Sequence, residues 1–253
     1  MSSTLIAAIT VACVFGGALL GLGLQRLLPQ NHLTKESQDV IKLGAGVIAT
    51  ITALVLSLLI SSAKATFDQM NSRIIQVSAK ILVLDGVLTR YGPETKGARE
   101  QVRRSIETML GRIWPSEHAD VSGEAAIEHG GEIGIVRDKL RALNPDTDTQ
   151  RQLLVQAQQV VDEIAESRWM LIEESQIQLP TPLIVVLVLW LTMLFTSFGL
   201  FAPRNATIVA VLFMCACSMS AAIFLMLEMN RPLDGFIKVS SAPVRTALTH
   251  LGQ

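Results

Sequence analysis

The chain has 253 residues, of which 50% are hydrophobic and 17% charged, with a formal net charge of -1. So apolar a composition excludes an ordinary soluble domain, and the near-zero charge excludes nucleic acid as a partner, which needs a basic face. The apolar residues gather in four blocks, and Cys13, Cys215 and Cys217 all lie inside them. They read as small membrane-buried residues rather than disulfide or metal ligands.

The first block, residues 4–24, lacks the basic flank of a signal peptide and is too long for one, so it reads as a retained membrane span. It contains Gly17-Ala-Leu-Leu-Gly21, a small-xxx-small face suited to close helix contact. Residues 25–42 read as a short polar connection, with Pro29 and a solvated His32.

The second block, residues 43–63, carries no charge and is long enough to cross a bilayer core of about 30 Å. Small residues recur at every fourth position: Ala45, Ala49, Ala53, Ser57 and Ser61. No Pro or Gly lies between Gly46 and Gly86, so nothing obliges the helix to stop at the membrane surface. Beyond Lys64 the pattern becomes a heptad of Phe67, Met70, Ile74, Val77, Ile81, Leu84, Leu88 and Tyr91, the period of a supercoiled seam. One helix is therefore expected to serve as membrane wall and as stalk.

Gly92 suits the helix C-terminus, Pro93 stops the helix, and Glu94 favours the start of the next. That helix is expected over residues 94–113, with Val102, Ile106, Met109, Leu110 and Ile113 on one face. Residues 114–131 read as a linker. Its Glu117, His118, Asp120, Glu124, Glu128 and His129 match no metal-ligand spacing and read as a solvated acidic loop. A further helix is expected over 133–143, and a longer one over 146–177 with the stripe Leu154, Ala157, Val161, Ile164 and Leu171. Arg168 interrupts that stripe. It either pairs with a buried acid, Asp85 being a candidate, or snorkels to solvent.

Pro180 and Pro182 lead into the third span, 183–201, a tight turn follows at 202–205, and the fourth span covers 206–227. The fourth span is rich in Ala, Ser and Cys, as expected of a helix packed on helices. Glu228 lies at the membrane exit, with Arg231 three residues on as a possible pair. The tail ends in a short amphipathic helix carrying Val244, Ala247, Leu248 and Leu251, expected on the membrane surface or against the soluble helices.

The fold expected is all-α, with four transmembrane helices and a helical insert between the second and third. The domains read as 1–63, the first two spans; 64–179, the helical insert; 180–227, the last two spans; and 228–253, the amphipathic tail. The insert side carries Lys64, Arg73, Lys80, Arg168, Arg231, Lys238 and Arg245 near the spans, against Arg26, Lys35, Lys42 and Arg204 on the other. The positive-inside rule then makes insert, N-terminus and tail cytoplasmic.

Three stretches resemble the bacterial bestrophin-like membrane proteins, a domain family of unknown function. The first is Leu84-Asp85 with Arg90-Tyr91-Gly92-Pro93-Glu94. The second is Arg168-Trp169 with Trp190 and Phe198-Gly199-Leu200-Phe201-Ala202-Pro203-Arg204-Asn205. The third is Glu228-Met229-Asn230-Arg231-Pro232 with Gly235 and Ser240-Ser241-Ala242-Pro243. The family name implies kinship with bestrophins, pentameric anion channels whose second membrane helix lines the pore. The resemblance thus implies a homo-oligomer, a pentamer by analogy, in a bacterial inner membrane, with an inorganic anion as the permeating species. The bestrophin row of pore aromatics and the acidic calcium clasp have no counterpart here, so calcium gating is not implied.

No catalytic constellation is legible: there is no phosphate-cradling loop, no HExxH and no nucleophile elbow, so neither enzyme nor cofactor is expected. The span midplanes carry no charge, which weighs against a proton-coupled carrier. For a channel, Thr50, Ala53, Ser57 and Ser61 share one face of the second span, with Lys64 below to attract anions. Val47, Leu54 and Leu58 could form a dewetting constriction. The same residues could equally be helix-packing positions. The competing class is a non-conducting scaffold or sensor that offers its heptads as a coiled-coil platform.

Overall fold

A computed structural model describes residues 2–27, 35–114, 131–175, 181–233 and 235–251. The expected linker acids and histidines, His32, Pro29 and Pro180 lie outside the described residues. Every regular element among the described residues is helical: α1 (Ser3–Leu24), α2 (Lys35–Tyr91), α3 (Lys96–Ile113), α4 (Gly131–Arg141), α5 (Asp148–Ser175), α6 (Thr181–Phe201), α7 (Ala206–Met229) and α8 (Ala242–His250). A 3-10 turn, Pro93–Thr95, links α2 to α3. Helices α1, α2, α6 and α7 are each long and apolar enough to cross a membrane.

The chain forms two compact units. The first holds Met1–Phe67, Gln178–Arg231 and Gly235–Ile237; the second holds Asp68–Ile177, Pro232–Asp234 and Lys238–Gln253. Helix α2 contributes to both. It begins at Lys35, eight residues before the apolar block, so residues 35–42 are helical rather than connecting loop. Glu36, Gln38 and Lys42 form helix readily, and Glu36 complements the helix N-terminus.

In the first unit α1 lies against α6 and α7. The α1–α6 contact is made by glycines. A Cβ on Gly21 would fall on the Thr196 carbonyl, and one on Gly199 on the Ala18 carbonyl. A Cβ on Gly17 would stand 2.9 Å from Thr192 Cγ2. The small-xxx-small pair of α1 is therefore the surface on which α6 sits, backbone to backbone. Rising numbers on α1 meet rising numbers on α6, so the two run parallel. Helix α7 returns antiparallel to α1, with Ser220 Oγ donating to Ala7 O at 2.7 Å and Phe15 edge-on to Phe213. The start of α1, the start of α6 and the end of α7 thus share one end of the unit. At the other end Arg204 Nη2 donates to Leu22 O at 3.1 Å and Nε to Gln25 Oε1 at 3.0 Å. The guanidinium satisfies the one carbonyl, Leu22 O, that the backbone of the last turn of α1 leaves open.

In the second unit, Met70, Ile74, Val77, Ile81, Leu84, Leu88 and Tyr91 of α2 are all buried, the heptad read from the sequence save its first member, Phe67, which is half-buried. Helix α5 runs antiparallel beside them. Lys80 Nζ lies 3.4 Å from Glu163 Oε2, Arg73 reaches Met170 Sδ, and Gln150 Nε2 donates to Tyr91 O. A capping box opens α5: Thr147 Oγ1 accepts from Gln150 N, and Gln150 Oε1 accepts from Thr147 N and also from Asp146 N. Arg137 on α4 pairs with Asp162 on α5. The amphipathic helix of the tail is α8; it packs on α3 and buries Val244 and Ala247, with Leu251 buried just past its end. Trp114, closing α3, is buried and donates Nε1–H to Val239 O at 2.8 Å.

Candidate functional site

The candidate site is the apolar stretch of α2, and the motif residues are placed apart from it. One arc of that stretch packs inside the chain: Leu59 and Ala63 belong to the core of the first unit, with Ala45, Ile48, Ala49, Val55 and Leu56 against it, and Thr52 is buried. Thr52 Oγ1 donates to Ile48 O, which silences its polarity. The opposite arc is uncovered. Thr50, Ala53, Ser57, Ser61 and Lys64 are all exposed on the single chain, as are Val47, Leu54 and Leu58 at 60%, 66% and 70%. At 3.6 residues per turn the first five fall within an arc of about 80°, centred roughly 140° from the buried one. The three apolar residues occupy the neighbouring arc, so the hydroxyl stripe and the proposed constriction lie side by side.

Helix α2 is also the least enclosed span. Its most apolar window is 11% buried, against 28%, 33% and 22% for α1, α6 and α7. The uncovered arc is not the leucine surface expected toward acyl chains alone, since it carries hydroxyls and Gly46. Thr50 Oγ1 already donates to Gly46 O at 2.9 Å. In that rotamer it offers lone pairs and a methyl, so donation to an anion falls to Ser57, Ser61 and Lys64.

The motif residues serve structure. Asp85, buried near the end of α2, accepts from Arg99 Nε at 2.6 Å and from Nη2 at 3.0 Å, a bidentate pair. The hydrogen bonds to Asp85 raise the pKa of Arg99 above its ordinary value, against an opposing desolvation. Asp85 is therefore not paired with Arg168. The α2–α5 register sets Arg168 level with about residue 75, some 15 Å along the helix from Asp85 at 1.5 Å per residue. Arg168 is half-buried, and Trp169 is exposed. Arg99 was not singled out from the sequence, yet a signal existed. Asp85 and Arg99 are equidistant from Gly92, where the chain reverses, and residues equidistant from a helical-hairpin turn face each other.

That turn explains Arg90-Tyr91-Gly92-Pro93. Gly92 adopts φ 136°, open to glycine and strained for any L side chain. Pro93 opens the 3-10 turn, and Thr95 Oγ1 donates to Leu88 O at 2.7 Å, closing α2. Arg90 is exposed and donates Nε–H to Gly86 O. Tyr91 is 4% exposed, and its hydroxyl has no hydrogen-bond partner among the described residues. Burial first, then the charges of Glu94 and Asp146, push its pKa above 10.0.

Pro203 sits in the α6–α7 turn, Arg204 holds the end of α1, and Asn205 Oδ1 caps α7 by accepting from Ile208 N at 2.9 Å. Glu228 is buried at the end of α7, and its carboxylate accepts from Phe236 N. Gly235 leaves room for that carboxylate, since a Cβ there would meet it. Pro232 is buried, and its carbonyl accepts from Val239 N. Ser240 Oγ accepts from Ala242 N, while the buried Ser241 and then Pro243 open α8.

No group of metal-ligating side chains occurs among the described residues. The three cysteines are free, Cys13 and Cys215 exposed on the apolar surface of the chain and Cys217 partly so. Four apolar spans, a helical insert between the second and third, and a span left uncovered on its hydroxyl face define an all-α membrane protein. The Bestrophin-like domain matches residues 12–244, and the chain belongs to that family. No curated protein matches the chain, and no solved structure does.

Proposed function

We propose that the chain is the subunit of a homo-oligomeric anion channel, a pentamer by analogy with bestrophins, in a bacterial inner membrane with both termini cytoplasmic. The observation that carries this reading is the uncovered hydroxyl arc of α2: Thr50, Ala53, Ser57 and Ser61, ending at Lys64. A polar arc toward lipid tails gains nothing, whereas the same arc repeated around an oligomer axis encloses a wet path. Ser57 and Ser61 supply donors, and Lys64 draws anions to the mouth. Val47, Leu54 and Leu58, on the neighbouring arc, meet the adjacent subunit and narrow the path between hydroxyl rows. Membership of the bestrophin-like family supports the same assignment.

The second reading is a non-conducting scaffold or sensor, in which α2 and α5 form a coiled-coil platform for a cytoplasmic partner; Ile75, Val83, Val155 and Trp169 are among the apolar side chains this pair leaves exposed. The test is ion flux from liposomes containing purified protein, with chloride and then potassium gradients. Chloride flux, reduced at least tenfold by Ser57→Trp, is the expected result. Absence of flux from folded oligomers, or flux indifferent to Ser57→Trp, rejects the pore assignment.

A further inference from the structure

A crevice of about 970 Å³ runs along the first unit between α1 and α6, lined by those two helices and the end of α7. It extends from Ile6 to Leu20 on α1, about 21 Å at 1.5 Å per residue, the length of one long acyl chain. Most of its wall is apolar. The hydroxyls on the α6 side are spent on their own helix: Thr192 Oγ1 donates to Val188 O, Thr196 Oγ1 to Thr192 O and Ser197 Oγ to Met193 O. They therefore present methyl and methylene groups to the groove. One end alone is polar and cationic, where Thr181, Asn230 and Arg231 line it. This is the end at which α1 and α6 start and α7 finishes, so it falls at the membrane–water boundary.

We infer that this groove binds one anionic phospholipid, its acyl chain along α1 and α6 and its phosphate at Arg231. An apolar trough closed by a cation at the interface matches an amphiphile of opposite charge, and matches neither a polar solute nor a purely hydrocarbon one. A guanidinium has five N–H donors, so Arg231 can hold a neighbouring protein group and a phosphate together. Helix α6 can hold the shape because it is pinned to α1 by glycine contacts at Gly17, Gly21 and Gly199, leaving a fixed trough beside the contact line.

The test uses the full chain in dodecyl maltoside, titrated with phosphatidylglycerol or phosphatidylcholine and followed by native mass spectrometry and thermal unfolding. Gly16 lines the groove, and a Cβ there meets nothing within 4 Å, so Gly16→Phe adds bulk to the trough from a position outside the close α1–α6 contact. Wild type is expected to retain one phosphatidylglycerol per chain at least tenfold more tightly than phosphatidylcholine. Gly16→Phe abolishes retention of both, and Arg231→Gln removes the preference while leaving the weaker binding. Equal retention of the two lipids by wild type overturns the proposal, as does a Gly16→Phe chain that keeps its lipid. A Gly16→Phe chain that loses its oligomeric state with no change in lipid retention assigns the groove to a second copy instead, and likewise overturns it.

Discussion

Replacing Arg99 by Met should destabilise the second unit by about 3 kcal/mol. The side chains of Asp85 and Arg99 are 12% and 22% exposed and joined by two hydrogen bonds, of 2.6 and 3.0 Å. Hydrogen bonds to charged groups contribute about 1.5–3 kcal/mol each, and removing one partner of a fully buried pair costs about 3–5 kcal/mol. Residual exposure of both groups places this pair at the lower end of that range. Met keeps the packing of the aliphatic stem and removes the donors, so the loss reports the stranded Asp85 carboxylate. The assay is unfolding in detergent followed by Trp114, which is buried in the second unit, in a background with Trp169 and Trp190 replaced by Phe. The double variant Asp85→Leu/Arg99→Met should recover most of the loss, because an apolar pair strands no charge. A single-variant loss below about 1 kcal/mol, or a double variant no more stable than Arg99→Met, refutes the reasoning.

Tyr91→Phe should leave stability at neutral pH within about 1 kcal/mol of wild type or above it, since the hydroxyl it removes is buried without a partner. Because burial raises the Tyr91 pKa above 10.0, the unfolded chain ionises first. The stabilising contribution is full below about pH 10 and is lost as pH rises through the folded pKa. Tyr91 is the one tyrosine in the sequence, so phenolate absorbance follows it directly; native-state titration at or below the ordinary value contradicts the burial argument. Gly199→Val should destabilise the first unit by more than about 2 kcal/mol, because its Cβ falls on the Ala18 carbonyl. Gly23→Ala, whose Cβ meets nothing within 4 Å, is the control, and equal thermal midpoints for the two variants would show that the α1–α6 contact is not close.

Period was the most legible signal in the chain. Every position in the alternation of three and four from Met70 to Tyr91 is buried, with Ser78, Asp85 and Val87 widening the same face, because a helix packed along its length must repeat that way. The GALLG pair was legible as a close-contact face but not as to its partner, since any helix with a small residue could have answered it. The start of α2 was missed because residues 35–42 are charged or polar apart from Val40 and Ile41: hydropathy marks where a membrane begins, not where a helix does. Asp85 shows the limit most clearly. From the sequence it is only a candidate partner for Arg168, whereas the reversal of the chain at Gly92 sets Arg99 opposite it. Register follows from turn geometry and side-chain interdigitation, which no periodicity encodes. At the candidate site, the sequence gathered Thr50, Ser57 and Ser61 on one arc; that this arc is the one the chain leaves uncovered depends on where α1, α6 and α7 pack.

The bond from Trp114 to Val239 has a consequence for biosynthesis. The two residues are 125 positions apart, and both α6 and α7 lie between them. At about 5–20 residues per second, roughly 6–25 s of translation separate the emergence of the indole from that of its acceptor. Throughout that interval the face of α3 that α8 will cover stands open to water or to a chaperone, while two membrane spans are still being threaded. The second unit can begin to collapse early, but it becomes complete only after the last span has left the ribosome. A nascent chain stalled in α7 should therefore remain protease-sensitive at α3, although most of its heptad partners are already made.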